Sequence, residues 1–116
     1  MKSGRYIPQR GDIVWLDFNP QAGHEQRGKR PALIVSPKIY NEKTNLCLCL
    51  PITSKIKGYP FEVILPQKLP INGAILSDQI KSLDFVARDI SFVCKAPKDV
   101  VDIVQKNLLV LIQEEV

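Results

Sequence analysis

The chain has 116 residues, 45% of them hydrophobic and 24% charged, which bounds it to one ordinary globular domain over 1–116 with a core that needs no disulfide or metal to hold it. No apolar run approaches the roughly 20 residues of a bilayer-spanning helix, and the opening MKSGRYIPQRGD lacks the apolar centre of an export signal, so a cytoplasmic protein away from membranes is expected. The formal charge of +4 is uneven, with ten Lys/Arg and four Asp/Glu in residues 1–60 against six and eight in residues 61–116, which suits either a polyanionic partner or a solvated basic face.

Gly11-Asp12 opens IVWLDF, a strand-like run of β-branched and aromatic residues. NPQAGHEQRGKR follows without an apolar period and reads as a long polar loop, a kind of segment that is usually functional or disordered. Pro31-Ala-Leu-Ile-Val is a second strand, entered through a proline suited to a strand's first position. Ser36-Pro37 predicts a short helix through Tyr40, with Ser36 as its cap, and Asn41–Asn45 reads as turn. Leu46–Ile52 is a third strand buried on both faces, and Thr53–Gly58 is a second polar, basic loop. Phe61–Leu65, Gly73–Ile80 and Ile90–Cys94 complete the predicted strands. From Pro97, apolar residues at Val100, Val101, Val104, Leu108, Leu111 and Ile112 fall at helical spacing. Short strands joined by turns, then one helix, predict a mainly β fold: a small antiparallel barrel with a C-terminal helix.

Three cysteines, Cys47, Cys49 and Cys94, with no export signal argue for reduced thiols. With His24 they could supply four zinc ligands, but no C-x₂-C pair and no second histidine is present. Cys47 and Cys49 are alternate residues of one predicted strand, so both sulfurs should pack on the same side in the core. No metal and no cofactor are expected.

The polar reach is concentrated in three places. The first loop offers Asn19, His24, Glu25, Gln26, Arg27, Lys29 and Arg30; the second offers Thr53, Ser54, Lys55 and Lys57; a third set is Asp78, Gln79 and Lys81. Guanidinium forks can hold phosphates while amides and carboxylates read base edges, as in recognition of single-stranded RNA. RNA carries its own nucleophile, the 2′-hydroxyl, so a protein need only align it, remove its proton and stabilise charge on phosphorus. Arginine suits the charge and a threonine hydroxyl adds one oriented donor. His24 and Glu25 are both candidates for the general base, and each can equally be a solvated or ion-paired loop residue.

GDIVWLDFNP, GHEQRGKRPALIVSP, CLCLPITSKIKGYPFEV and LSDQIKS, in that order from Gly11 to Ser82, resemble the signature blocks of the MazF/PemK toxins of type II toxin–antitoxin systems. The resemblance implies a compact SH3-like barrel, a homodimer, and metal-independent, sequence-specific cleavage of single-stranded RNA, messenger RNA included, to a 2′,3′-cyclic phosphate and a 5′-hydroxyl. Such cleavage inhibits translation and growth. It implies that Arg30 acts on the phosphate and in proton transfer, that Thr53 bonds the scissile phosphate, and that Glu25, Gln26, Asp78, Gln79 and Lys81 lie near the RNA. It further implies neutralisation by an antitoxin whose acidic, disordered tail folds onto the dimer. His24 and the stretch Thr53–Lys57 depart from the family pattern, so the cleavage sequence does not carry over. Two other readings compete: a barrel that binds nucleic acid without cutting it, and a CcdB-like gyrase inhibitor, disfavoured by the QEEV terminus with no Trp.

Overall fold

The computed structural model describes residues 5–18 and 28–113. The elements are β1 (Asp12–Asp17), β2 (Lys29–Ile34), α1 (Lys38–Thr44), β3 (Leu46–Thr53), β4 (Glu62–Ile64), β5 (Ala74–Leu76), β6 (Lys81–Asp84), β7 (Ser91–Lys95) and α2 (Lys98–Ile112). All pairings are antiparallel and run in the order β4-β5-β3-β2-β1-β7, with β6 on β3 off that path. The mainly β architecture with a C-terminal helix is therefore the one the sequence predicts. Among the described residues the ladder ends at β4 and at β7, so the barrel-like sheet is not hydrogen-bonded all the way round.

β3 is the hub. Cys49–Pro51 pair with β2 on one side. On its other side β3 pairs first with β6, through Leu46–Cys49, and then with β5, through Ile52 and Thr53. The change of partner falls at Leu50–Pro51, where the proline brings no N–H to a ladder. Alternation sorts the side chains into two layers. Ile13, Leu33, Leu50 and Ile52 share one layer with Val63, Ile75 and the helix residues Val100 and Val104. Val14, Leu16, Ala32, Ile34, Cys47 and Cys49 share the other with Phe18 and Phe85. Cys47 and Cys49 lie in the same buried layer, as their spacing requires, and a hydrogen bond with the Cys47 sulfur, then burial, push the Cys49 thiol well above its ordinary range.

Three local expectations need correction. Ser36 is not a helix cap. Pro37 occupies that position without a side-chain bond, and α1 runs beyond Tyr40 to Thr44 before Asn45 ends it at φ 61°. The Ser36 hydroxyl is committed elsewhere, donating to Asn41 Oδ1 at 2.6 Å and accepting from the Leu48 amide at 2.9 Å. Asn41 Nδ2 donates to the Pro8 carbonyl at 2.7 Å and to that of Ser36 at 3.3 Å. A turn-prone asparagine is thus held inside a helix because it staples α1 to the N-terminal segment. Second, the Gly73–Ile80 strand shrinks to Ala74–Leu76, since Ser77–Gln79 turn back with the Gln79 amide on the Leu76 carbonyl at 3.1 Å. Third, Lys81–Asp84 is a strand that its short, mostly exposed and charged sequence did not announce; its pairing to Leu46–Cys49 holds it.

The N-terminal segment is anchored on buried Asp12. Its carboxylate accepts from the Tyr6 hydroxyl, from the Gln9 amide at 3.1 Å and from Lys95 Nζ at 2.8 Å. Burial first, then the Asp12 carboxylate, hold the Tyr6 phenol above its ordinary 10.0. A phenol whose proton is held more tightly in the folded state contributes fully below the unfolded value and loses that contribution as pH rises above it. Between pH 10 and 11, urea midpoints of the wild type should therefore fall more than those of Tyr6→Phe; equal falls would remove this account. Asn41→Ala should lower unfolding free energy by about 2–3 kcal/mol, because it strands buried partners without hydrogen bonds. A urea titration showing a loss under about 0.5 kcal/mol, the level of an ordinary surface change, would contradict that role.

Candidate functional site

β2 starts at Lys29 and β3 ends at Thr53, so the site is built where two central strands begin and finish. Ala32 pairs with Pro51. Stepping two residues outward along both antiparallel strands brings Arg30 level with Thr53, past the last rung of the ladder. There the strands open onto a cleft of about 540 Å³. Its wall combines apolar Trp15, Pro31, Ile52, Pro70 and Ile71 with Lys29, Arg30, Thr53, Ser54, Lys55 and Asn72. An apolar concavity with a few convergent polar groups is the usual form of a ligand site.

Arg30 is half-buried with its Nε atom enclosed, and its backbone pairs with Leu16 of β1. A guanidinium seated this way presents its fork from a fixed base. Thr53 Oγ1 accepts a hydrogen bond from the Lys55 amide at 3.0 Å. That bond uses an oxygen lone pair and leaves the hydroxyl proton available to an acceptor in the cleft. Lys29 and Lys55 are exposed at the rim. Lys29 Nζ lies 2.8 Å from Asp89 Oδ2, an exposed pair that water screens and a polyanion can displace.

The candidate residues separate into groups. Lys29, Arg30, Thr53, Ser54 and Lys55 line one cleft. Lys57 does not line it: the Lys57 and Gly58 amides donate to the Glu62 carboxylate at 3.1 and 2.9 Å, and Lys57 Nζ sits 6.0 Å from the Tyr59 ring centroid. Asp78, Gln79 and Lys81 also fall outside the lining. Ala74 pairs with Thr53, so β5 leaves the cleft end as it runs to Leu76, and Asp78-Gln79 follow in the turn beyond. Lys81 pairs with Cys49, four residues back along β3, roughly 13 Å at the usual strand rise. Asn19, His24, Glu25, Gln26 and Arg27 lie outside the described residues. The base of their loop is described: the Phe18 amide donates to the Gly28 carbonyl at 3.1 Å, and Gly28 adopts φ +76°, a conformation that favours glycine.

The wall Pro70–Asn72 was not foreseen, because a Pro/Asn/Gly stretch announces only a turn. Among the described residues no group of three or more His, Cys, Asp or Glu could hold a metal ion, and no helix is long and apolar enough to cross a membrane.

Residues 9–112 match the family of PemK-like, MazF-like toxins of type II toxin–antitoxin systems. The endoribonuclease toxin MazF of Escherichia coli strain K12 is 51% identical over 84 residues, covering 72% of this chain and 75% of that protein. The crystal structure of MazF from Deinococcus radiodurans superposes with a TM-score of 0.88 at 47% identity, covering 95% of this chain and 100% of that one. A MazE–MazF crystal structure from the same organism gives 0.88 at 47% identity over 96% and 100%. With the family matched over residues 9–112 and the fold superposing on MazF over 95% of the chain, the chain belongs to the PemK-like, MazF-like family of type II toxin–antitoxin toxins.

Proposed function

We propose that this chain cuts single-stranded RNA at a short sequence by turning a nucleotide's own 2′-hydroxyl on the adjacent phosphate, without a metal ion. As a member of its family it is an endoribonuclease toxin. The observation that carries the reaction is the convergence of Arg30 and Thr53 on one cleft whose other polar groups are amides, hydroxyls and lysines. Nothing in that set is a strong nucleophile, so the attacking oxygen is assigned to the substrate.

The 2′-oxygen attacks phosphorus in line with the O5′ leaving atom. The P–O5′ bond breaks, and the products are a 2′,3′-cyclic phosphate and a 5′-hydroxyl. A base takes the 2′-proton and an acid returns one to O5′. The Arg30 fork holds the non-bridging oxygens as their charge grows, and the Thr53 O–H donates to one of them, its oxygen already engaged by the Lys55 amide. Trp15, Ile52 and Ile71 keep water from those bonds and strengthen them. The base is assigned to the first loop, Glu25 or His24. Asn19, Gln26, Lys29 and Ser54 are assigned to the nucleotides at the scissile step; Lys57, Asp78, Gln79 and Lys81 to nucleotides further along the strand.

Two partners complete the proposal. One is a second copy of the chain. The end of α2 supports it: Val100 and Val104 are in the core, whereas Leu109, Val110, Leu111 and Ile112 are 45–76% exposed beside an apolar groove of about 240 Å³. The other is an antitoxin with an acidic, flexible tail able to occupy the basic cleft, supported by the MazE–MazF assemblies of D. radiodurans. Growth arrest then follows from loss of messenger RNA when the antitoxin is depleted.

Arg30→Ala and Thr53→Ala should each lower kcat on a long single-stranded RNA by about 10²–10³, as removal of one preorganised donor does elsewhere, with urea midpoints unchanged. A single 2′-deoxy nucleotide at the cleavage step should leave RNA bound and uncut. Cleavage of that substrate at the wild-type rate would exclude the 2′-hydroxyl as nucleophile. Full activity is expected in excess chelator, and activity lost to chelator and restored by magnesium would replace this mechanism with a metal-assisted one.

A further inference from the structure

We propose that Gly73 is a positioning residue for the reaction, setting the place of the Thr53 hydroxyl. This rests on the role given to Thr53 above. Gly73 lies one residue before β5 and closes the stretch whose Pro70–Asn72 segment forms the cleft's second wall. It adopts φ +126°, and a Cβ built on it would stand 2.2 Å from the Thr53 carbonyl oxygen, 2.9 Å from the Thr53 carbonyl carbon and 3.3 Å from Ser54 Cα. These are backbone atoms, so no side chain can swing aside to make room.

The seam is fixed from both directions. The Leu65 amide donates to the Gly73 carbonyl at 2.9 Å, and Ala74 pairs with Thr53. Ile71, two residues earlier, is buried in the layer that holds Val63 and Ile75. The second wall is thus pinned to the core and pressed on the backbone of Thr53 at the one residue that has no side chain. Thr53 in turn fixes its hydroxyl through the Lys55 amide. A methyl group at position 73 must push Thr53–Ser54 away from Pro70–Asn72 by a distance comparable with a hydrogen bond's tolerance. Arg30 comes from β2 and is untouched by that shift, so the guanidinium and the hydroxyl lose their common aim.

The test is a double-mutant cycle with kcat and KM read separately. Gly73→Ala should lower kcat about 100-fold, the usual consequence of a misplacement near 1 Å, with KM changed by less than about threefold. In a Thr53→Ala background the same substitution should change kcat by less than about threefold, because the group it displaces is gone. A merely structural glycine would cost the same in both backgrounds, and equal losses overturn the inference. So does wild-type kcat in folded Gly73→Ala. If Thr53→Ala alone keeps wild-type kcat, the role of Thr53 fails first and this inference with it. If Gly73→Ala does not fold, the wild type decides by amide exchange. The Lys55 amide, bonded to Thr53, and the Leu65 amide, bonded to Gly73, should exchange within about tenfold of each other, as groups released by one opening do. A Lys55 amide exchanging faster than that overturns it.

Discussion

The pairing of β2 with β3 is the interaction on which the rest depends. Three register pairs, Ala32–Pro51, Leu33–Leu50 and Ile34–Cys49, join the two strands whose opposite termini carry the candidate chemistry. Because the strands are antiparallel, the start of one meets the end of the other. Arg30 and Thr53, 23 residues apart in sequence, become neighbours without any loop having to carry them there. Slipping the register by one residue would turn Leu33 and Leu50 out of one layer and Ala32, Ile34 and Cys49 out of the other. Both layers are apolar, so the slip is opposed not by exposure but by volume, since it would exchange the bulky Leu33 and Leu50 with the smaller Ala32 and Cys49 in close-packed layers. The packing of two hydrophobic layers thereby fixes a distance between two polar groups that lie outside them.

Much of this was legible in the sequence, and the reasons are specific. IVWLDF, PALIV and LCLCLPI are apolar on both parities because both faces of β1, β2 and β3 are covered, so the strands stood out, while Lys29, Arg30 and Thr53, read as loop, prove to be the polar ends of β2 and β3. The α2 period survives because Val100 and Val104 must meet Leu50 and its neighbours. What escaped is what tertiary context decides. Ser36 looks like a cap until Asn41 and the Leu48 amide compete for its hydroxyl. Asn41 looks like a turn until the Pro8 carbonyl, 33 residues away, binds it. Lys81–Asp84 has no pattern of its own and is a strand only because β3 offers an unpaired edge.

The site was legible by half for a similar reason. Residue types announce which groups can contact a phosphate, and the resemblance to the MazF/PemK blocks singled out Arg30 and Thr53 among them, with Lys29 and Ser54 beside them in the chain. They do not announce which turn will lie across from them. Pro70–Asn72 enters the cleft because β5 pairs with the last two residues of β3, a long-range fact with no local signature. Conversely, Asp78, Gln79 and Lys81 look as suitable as the others, yet the direction of β5 carries them away from the Arg30–Thr53 end. Chemistry-bearing residues can be read from sequence; their grouping follows from register.

Burial then divides the labour among the cations. Lys29 and Lys55 are exposed, and Lys29 already shares its charge with Asp89. Charges in that position act over a Debye length, gather a polyanion and are weakened by salt. Arg30 is half-buried against an apolar wall, where the effective dielectric is lower and an interaction with a phosphate oxygen is correspondingly stronger. A rigid donor in such a place favours the state with the most charge on those oxygens, which is the transition state rather than the bound substrate. In the proposed reaction the rim therefore governs capture and the floor governs rate. The seam of Thr53 against Gly73 belongs with the floor, because in that proposal the separation of rate from capture requires the hydroxyl and the guanidinium to be fixed by the core and not by the loops assigned to the RNA.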